Sequence, residues 1–429
     1  MKIVQIVGCP LHSGAGRGIH ALQEALLGRG IDTRIIGRVE SDLPSDIKAE
    51  AASFFARLPV SLRNRFKRWQ VKRRFGPLPI NFQPIAHGLS LHKWPTYREA
   101  DLIHIQFAGA TTLGSPLWRA LRAETRPVVW TLRDMWPFTG GCHFSGQCER
   151  FRAGCGCCPE FGGGALDEDI TAHDLAFKAA HIGKNITFVA ISDSIAERAR
   201  SSTVLKDRDI RVIPNSVMLD RFLPIAKAEA RAALGLPNDR IILAAGALNL
   251  ANPRKGSATL AALFAAYRGD PRLHFAIFGQ NLEQLVSPVP ENFTQFGLLD
   301  DDVKLNRIYA AADIYLMPSL QESFGKVTVE AMASGTPVIA YDGTPAVDMV
   351  RNGETGWLVA NGDHAKFLDT VRQACALPKG ALAEMGERAR ADVVENFSLA
   401  SVAERHIELY RERLRQQVNA TGSRGSPVN

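Results

Sequence analysis

Between Asp313 and Ala340 the chain reads as strand, loop, helix, turn and strand, an order that commits it to an α/β fold. Asp313 to Met317 is a short apolar run that Pro318 stops. Gly325 permits a tight bend, Lys326 to Ser334 follow as a helix, and Gly335 with Pro337 ends it. Glu322 falls in the loop and Glu330 about a turn into the helix, so both can face a ligand at the helix N-terminus. Unpaired N–H groups and a partial positive charge at that end suit a phosphate, while carboxylates suit hydroxyls. A phosphate flanked by sugars carries both. Two bare glutamates also fit a capped helix with a solvated side chain, so the rest of the chain has to decide.

The same alternation runs through all 429 residues, a length for two domains. In the first half, Met1 to Gly8, Asp101 to Gln106, Pro127 to Leu132, Phe188 to Ser192 and Ile210 to Asn215 are strand-like runs separated by helical or loop segments. The second half restarts with strands at Arg240 to Gly246, Leu273 to Gly279 and Phe293 to Leu298, and helices at Lys255 to Tyr267 and Val303 to Ala312. Two open, doubly wound sheets are expected. The division is residues 1–215, 216–396, a helix over 397–415, and a polar, disordered tail over 416–429.

No apolar run approaches the ~20 residues of a membrane span, and the first strand is too short for a signal peptide, so a cytoplasmic protein is expected. Lys plus Arg number 51 against 44 Asp plus Glu, a surplus that favours acidic ligands or an anionic surface. Residues 57–74 concentrate it, with eight positive charges, no negative one, and Leu58, Leu62, Phe66 and Trp69 at helical spacing. That pattern suits a helix lying on an anionic membrane, or a surface helix that packs its apolar face on its own domain. No nucleic-acid-binding module is recognisable, and no nucleic-acid partner is expected.

Three further stretches carry chemistry. Cys9 to Gly18 is a glycine-rich turn between strand and helix, where Gly14 and Gly16 would let backbone N–H groups approach a phosphate or would simply make the turn. Arg254 and Lys255, after the first strand of the second half, suit a diphosphate. Five cysteines cluster between Cys142 and Cys158. Cys142, Cys148, Cys155 and Cys158 offer four thiolates for a structural zinc that staples the loop, with His143 and Cys157 as spare ligands. The alternative is a set of reduced thiols packed among Phe144, Phe151 and Phe161.

Taken together, the Glu322 to Glu330 element, the Pro253-Arg-Lys-Gly256 segment, the glycine turn and Pro214-Asn-Ser-Val217 resemble a retaining GT-B glycosyltransferase of family 4 over nearly the whole chain. Thr131 to His143 and the following cysteines resemble the branch with colanic-acid and other exopolysaccharide transferases. The resemblance implies two Rossmann-like domains facing a central cleft, a nucleotide-sugar donor on the second, and a glycan or lipid-linked acceptor on the first, at the inner membrane face. It implies that Glu330 accepts from ribose hydroxyls and that Glu322 contacts the transferred sugar. Phe324 and Gly325 would offer N–H groups, Arg254 and Lys255 would hold the diphosphate, and Gly14 and Gly16 would close over it. Retention follows from front-face attack without a protein base or a catalytic metal.

Arg133 stands where many relatives carry His, and a guanidinium accepts no proton at neutral pH. Arg133 then binds donor phosphate or an acidic acceptor, and Asp134 either orients an acceptor hydroxyl or caps the next segment. Asp300 to Asp302 precede a helix and are expected to cap it rather than to bind metal. A transferase for a soluble acceptor, and a non-catalytic sugar-nucleotide-binding scaffold, are the competing readings.

Overall fold

The computed structural model describes residues 1–11, 14–37, 49–51, 54–79, 81–107, 114–162 and 169–422. The chain divides into two units, Met1–Pro214 with Ala403–Asn429, and Asn215–Val402. The first stretch of the first unit ends at Pro214, and the end of the chain returns to that unit.

Among the described residues the first unit holds a seven-stranded sheet of order β3-β2-β1-β4-β5-β6-β7. Its strands are β1 Lys2–Val7, β2 Asp32–Gly37, β3 Ala49–Ala51, β4 Leu102–Phe107, β5 Val128–Leu132, β6 Ile186–Ala190 and β7 Ile210–Val212. The pairings are parallel, and β1, β4, β5 and β6 are almost wholly buried, as strands covered on both faces must be. Trp118, Trp130, Trp136 and Phe188 fill the core on one face. β2 and β3 fall outside the strand-like runs of the sequence, because Asp32, Thr33 and Arg34 leave β2 only a short apolar end and Glu50 interrupts β3.

The second unit holds a six-stranded sheet, β10-β9-β8-β11-β12-β13. These are β8 Ile241–Asn249, β9 Leu273–Gln280, β10 Phe293–Gln295, β11 Ile314–Met317, β12 Val338–Tyr341 and β13 Gly356–Val359. Both sheets reverse their winding, the first between β1 and β4 and the second between β8 and β11. Ligands of such sheets bind outside the carboxyl ends of the strands at that switch.

The end of the chain differs from expectation in two ways. The helix expected over 397–415 begins at Leu399, set off by a break at Ser398 from a preceding helix, Lys379–Phe397, and it runs on to Gly422. The Ser398 backbone is extended, and the N–H of Val217 donates to the Phe397 carbonyl, which anchors the break. Residues 416–422 continue the second helix rather than forming a disordered tail. Polar composition did not prevent this, because Gln416 donates to Glu412 at 3.0 Å and accepts from Arg413 at 2.6 Å, pairs at helical spacing. Residues 423–429 lie outside the described residues.

This returning helix completes the first unit's polar core. Tyr410 is fully buried, with its hydroxyl 2.6 Å from His104 Nδ1, and His104 Nε2 lies 2.8 Å from Thr131 Oγ1. Burial pushes His104 well below its usual range, with His406 and Arg133 adding to the effect, so a neutral imidazole bridges the two hydroxyls. Gln106 extends the network to Gln5, which reaches Gln23 and Thr33. Replacing Tyr410 by Ala removes a buried ring and its bond to His104. We expect a loss of about 3–5 kcal/mol from the first unit, read as a lowered urea midpoint, with the second unit's transition unchanged.

Candidate functional site

The carboxyl ends of β8 and β11 flank the second unit's switch, and each continues into a loop that carries charge. After β8, Asn252 accepts from the N–H of Arg254 and opens a single 3-10 turn, Pro253–Lys255. Gly256 closes the turn with φ +78, and the helix Ser257–Ala266 follows. A Cβ at Gly256 would lie 1.9 Å from the Pro318 carbonyl oxygen, so only glycine lets this loop reach the end of β11. The N–H of Leu320 donates to the Arg254 carbonyl at 2.9 Å, and Arg254 Nη1 donates to the Gln321 carbonyl at 2.8 Å.

These bonds bring Glu322 to the two cations named from the sequence. Lys255 Nζ lies 2.5 Å from one carboxylate oxygen and Arg254 Nη1 3.5 Å from the other, with the Glu322 side chain only 9% exposed. The expected helix starts one residue after Gly325, which has φ +79, and runs Lys326–Ala333. Phe324 is buried and its ring stands 6.1 Å from that of Phe397, so its side chain anchors the loop.

Glu330 is deeper than the sequence suggested. It is 3% exposed, pairs with Lys326 Nζ at 3.1 Å and accepts from the Tyr309 hydroxyl at 3.3 Å. Burial raises its pKa, while Lys326 and the Tyr309 bond pull it back. Thr328 Oγ1, in the first turn of the same helix, is buried without a hydrogen-bond partner. The sequence reading missed Lys326, although a Lys four residues before a Glu is a visible helical pair. Tyr309 comes from another helix, Asp302–Ala311, and carried no local signal. The acidic run before that helix caps it as expected: Asp301 accepts from the N–H of Val303 at 2.8 Å, and Asp302 pairs with Arg221 at 2.9 Å.

The remaining predicted residues belong to the first unit. Gly14 opens the helix Gly14–Leu27. A Cβ at Gly16 would lie 2.1 Å from the Pro10 carbonyl oxygen, so that glycine serves close packing of the turn on the helix. Arg133, at the end of β5, donates to the backbone carbonyl and the side-chain oxygen of Gln106, each at 2.8 Å. Burial lowers its pKa to about 10, which leaves it charged at neutral pH. It thereby ties β5 to β4. Asp134 caps the turn, accepting from the N–H of Trp136 at 2.8 Å, and its second oxygen lies 2.8 Å from His143 Nδ1. His143, considered above only as a spare metal ligand, is thus the partner of Asp134.

The cysteine loop is compact. Gly140 N–H donates to the sulfur of Cys155 at 3.3 Å, the N–H of Cys158 donates to Asp169, and Cys155 and Cys157 hold positive φ. Burial pushes the Cys142 thiol up to about 12, helped by Cys158, Cys155 and Cys148 nearby. Cys155 rises to about 11, first through burial. Among the described residues no three His, Cys, Asp or Glu side chains are gathered so as to hold a metal ion. A zinc on Cys142, Cys148, Cys155 and Cys158 therefore requires the loop to draw its thiols together, and it stands as a proposal from the sequence.

Residues 239–376 match the family described as glycosyl transferases group 1. The D-inositol 3-phosphate glycosyltransferase of Nocardia farcinica is 35% identical over 237 residues, 51% of this chain and 51% of that protein. That of Saccharomonospora viridis is 32% identical over 225 residues, 48% and 50% of the two chains. The chain thus spans about half the length of the curated relatives it matches. Among solved structures, sucrose-phosphate synthase from Thermosynechococcus elongatus superposes with a TM-score of 0.66 at 21% identity, over 96% of this chain and 98% of that one. Anabaena HepE, solved in complex with UDP-glucose, gives 0.61 at 17%, over 96% and 100%. Likeness at such identities establishes the fold, which is GT-B.

The burial of Glu330 has a measurable sign. Its folded pKa lies above the ordinary 4.5, so its contribution to stability is full below 4.5 and is lost as pH rises through the raised value. Glu330→Gln removes that loss. Urea titrations should show the variant losing less stability than wild type between pH 4.5 and neutrality; parallel curves would place Glu330 in a water-like setting.

Proposed function

Because residues 239–376 belong to the glycosyl transferases group 1 family and the chain has the GT-B fold, we propose that the protein is a retaining glycosyltransferase. It moves a sugar from a nucleoside-diphosphate donor to a glycan or lipid-linked acceptor of surface-polysaccharide synthesis. The observation that carries this reading is the Lys255–Glu322–Arg254 cluster at the sheet's switch, with Glu330 at the adjoining helix start. Two cations held by one carboxylate are a site for an anion to enter.

A bound diphosphate takes over Lys255 and Arg254, as point charge and as forked donor respectively, and releases Glu322 to accept from hydroxyls of the transferred sugar. Glu330, whose charge Lys326 favours against the effect of burial, accepts from the ribose hydroxyls. The N–H groups at Phe324 and Gly325 face the sugar or phosphate. In the reaction the bond from the anomeric carbon to the diphosphate oxygen breaks, and the acceptor oxygen bonds to that carbon on the same face. The leaving phosphate oxygen takes the acceptor proton. Negative charge grows on the diphosphate as this happens, where Lys255 and Arg254 are aimed. Anabaena HepE binds UDP-glucose, which makes UDP-glucose the first donor to try.

A donor contact from Gly14 and Gly16 rests on the resemblance alone. Asp134 with His143 is the first-unit pair suited to orient an acceptor hydroxyl; Arg133, committed to Gln106, is not available as a proton acceptor. No catalytic metal enters this scheme.

Nucleotide release from UDP-glucose and a panel of other nucleotide sugars tests the reading. Glu322→Ala and Glu330→Ala should each lower turnover by about two orders of magnitude, with the fold retained. Near-wild-type turnover in both removes the site. Absence of release with every donor favours a non-catalytic scaffold.

Metal content separates the two metal questions. Turnover should persist in excess EDTA, and loss restored by Mg²⁺ or Mn²⁺ overturns the metal-free scheme. Elemental analysis of the purified protein should find about one zinc per chain if the thiols close on one, and under about a tenth of an equivalent removes the zinc proposal.

A further inference from the structure

The helix Phe54–Phe75 has two unlike faces, and of the two readings its composition allowed, the packing of the apolar row on its own domain is not the one Leu62, Phe66 and Trp69 adopt. Its seat on the first unit is formed by Val60, Asn64, Lys67 and Val71, one row at helical spacing. Val60 packs against the core and Val71 is 5% exposed. Asn64 exchanges two hydrogen bonds with the backbone of His87, at 2.9 and 2.7 Å, and Lys67 donates to the Ile85 carbonyl. The seat is thus fixed largely by polar bonds.

The apolar row points the other way. Leu62, Phe66 and Trp69 are 60, 58 and 51% exposed, on the side opposite Val60 and Val71. Surface helices of globular proteins bury such a row. Phe66 and Trp69 stack on each other at 5.7 Å, and Arg73 lies 5.4 Å over the Trp69 ring. Arg63, Arg65, Arg68, Lys72 and Arg73 are exposed around this ridge, and among the described residues none of them has a carboxylate within salt-bridge distance. No Asp or Glu occurs between Glu50 and Glu99. Among the described residues no helix is long and apolar enough to cross a membrane.

We propose that this helix docks the protein on an anionic lipid surface, with Leu62, Phe66 and Trp69 entering the headgroup region and the flanking cations meeting lipid phosphates. A straight apolar ridge about 10 Å long, bordered by Arg and Lys, matches a planar interface with negative charge beside it. Trp is at home at that depth, and long cationic side chains reach outward from an inserted ridge. Two other occupants fit less well. Single-stranded nucleic acid needs open aromatic faces, but Phe66 and Trp69 occupy each other and Leu62 offers no ring. A second copy docked by the same face would set the two cationic borders against each other.

The proposal is independent of the reaction, and its test reads binding instead of turnover. The full chain is floated with vesicles of equal parts phosphatidylcholine and phosphatidylglycerol, and with phosphatidylcholine alone, at low and high salt. Wild type should rise with the anionic vesicles at low salt and remain below with the neutral ones. Two triple variants, Leu62→Ser/Phe66→Ser/Trp69→Ser and Arg65→Glu/Arg68→Glu/Lys72→Glu, should each weaken that association by at least about tenfold, with circular dichroism unchanged. All six side chains are exposed, so the fold should survive; if a triple variant does not fold, Phe66→Ser alone is compared. The proposal is overturned by failure of wild type to bind anionic vesicles, by equal flotation of the variants, or by equal binding to neutral vesicles. It is overturned equally by tighter binding to a single-stranded oligonucleotide, or by a dimer in lipid-free solution that the apolar triple variant abolishes.

Discussion

Glu322 held between Lys255 and Arg254 is the interaction on which the candidate site of the second unit depends. The cations stand in the loop after β8 and the carboxylate in the loop after β11. The two meet because Gly256 lacks a side chain against the Pro318 carbonyl, and because the backbones of Arg254 and Leu320 bond directly. That contact sets the distance over which three charges gather in a nearly buried position. Removing charge from water is costly unless partners replace it, and here each charge has one. On the proposed function, an incoming diphosphate would replace the carboxylate as partner of both cations.

Glu330 shows the complementary situation. It sits nearly out of water with one lysine and one tyrosine hydroxyl, so the ligand-free protein holds a carboxylate where burial opposes its charge. On the proposed function, ribose hydroxyls would add donors to those of Lys326 and Tyr309. The position is less favourable to stability than a neutral side chain and better suited to binding, as sites shaped for a ligand commonly are. In the first unit the reverse holds. Arg133 and His104 are fully engaged with Gln106, Thr131 and Tyr410, and this network makes the sheet and the returning helix one structure.

Much of this was legible in order along the chain. Short apolar runs alternating with helical stretches give two doubly wound sheets, and Gly325, Lys326 and Pro337 bound the central helix closely. Strands β2, β3 and β13 were not seen, because short runs interrupted by polar residues carry little periodic signal. The extent of the last helix was misjudged because its final turns are polar, though Arg413, Gln416 and Glu412 are spaced to support a helix. For residues 57–74 the periodicity was real, but which face was seated depended on the backbone of Ile85 and His87, which the helix's own sequence does not mention.

The sequence alone determined the α/β class and its doubly wound sheets, and it marked Arg254, Lys255, Glu322 and Glu330 as candidates for one site, because each follows from local pattern and residue type. Tertiary structure alone decided which charges meet, that Glu330 is buried beside Tyr309, that Asp134 pairs with His143, and that Leu62, Phe66 and Trp69 face outward. Those outcomes depend on contacts between segments from 9 to more than 60 residues apart, and on which side of an element its neighbours occupy. A linear pattern records neither.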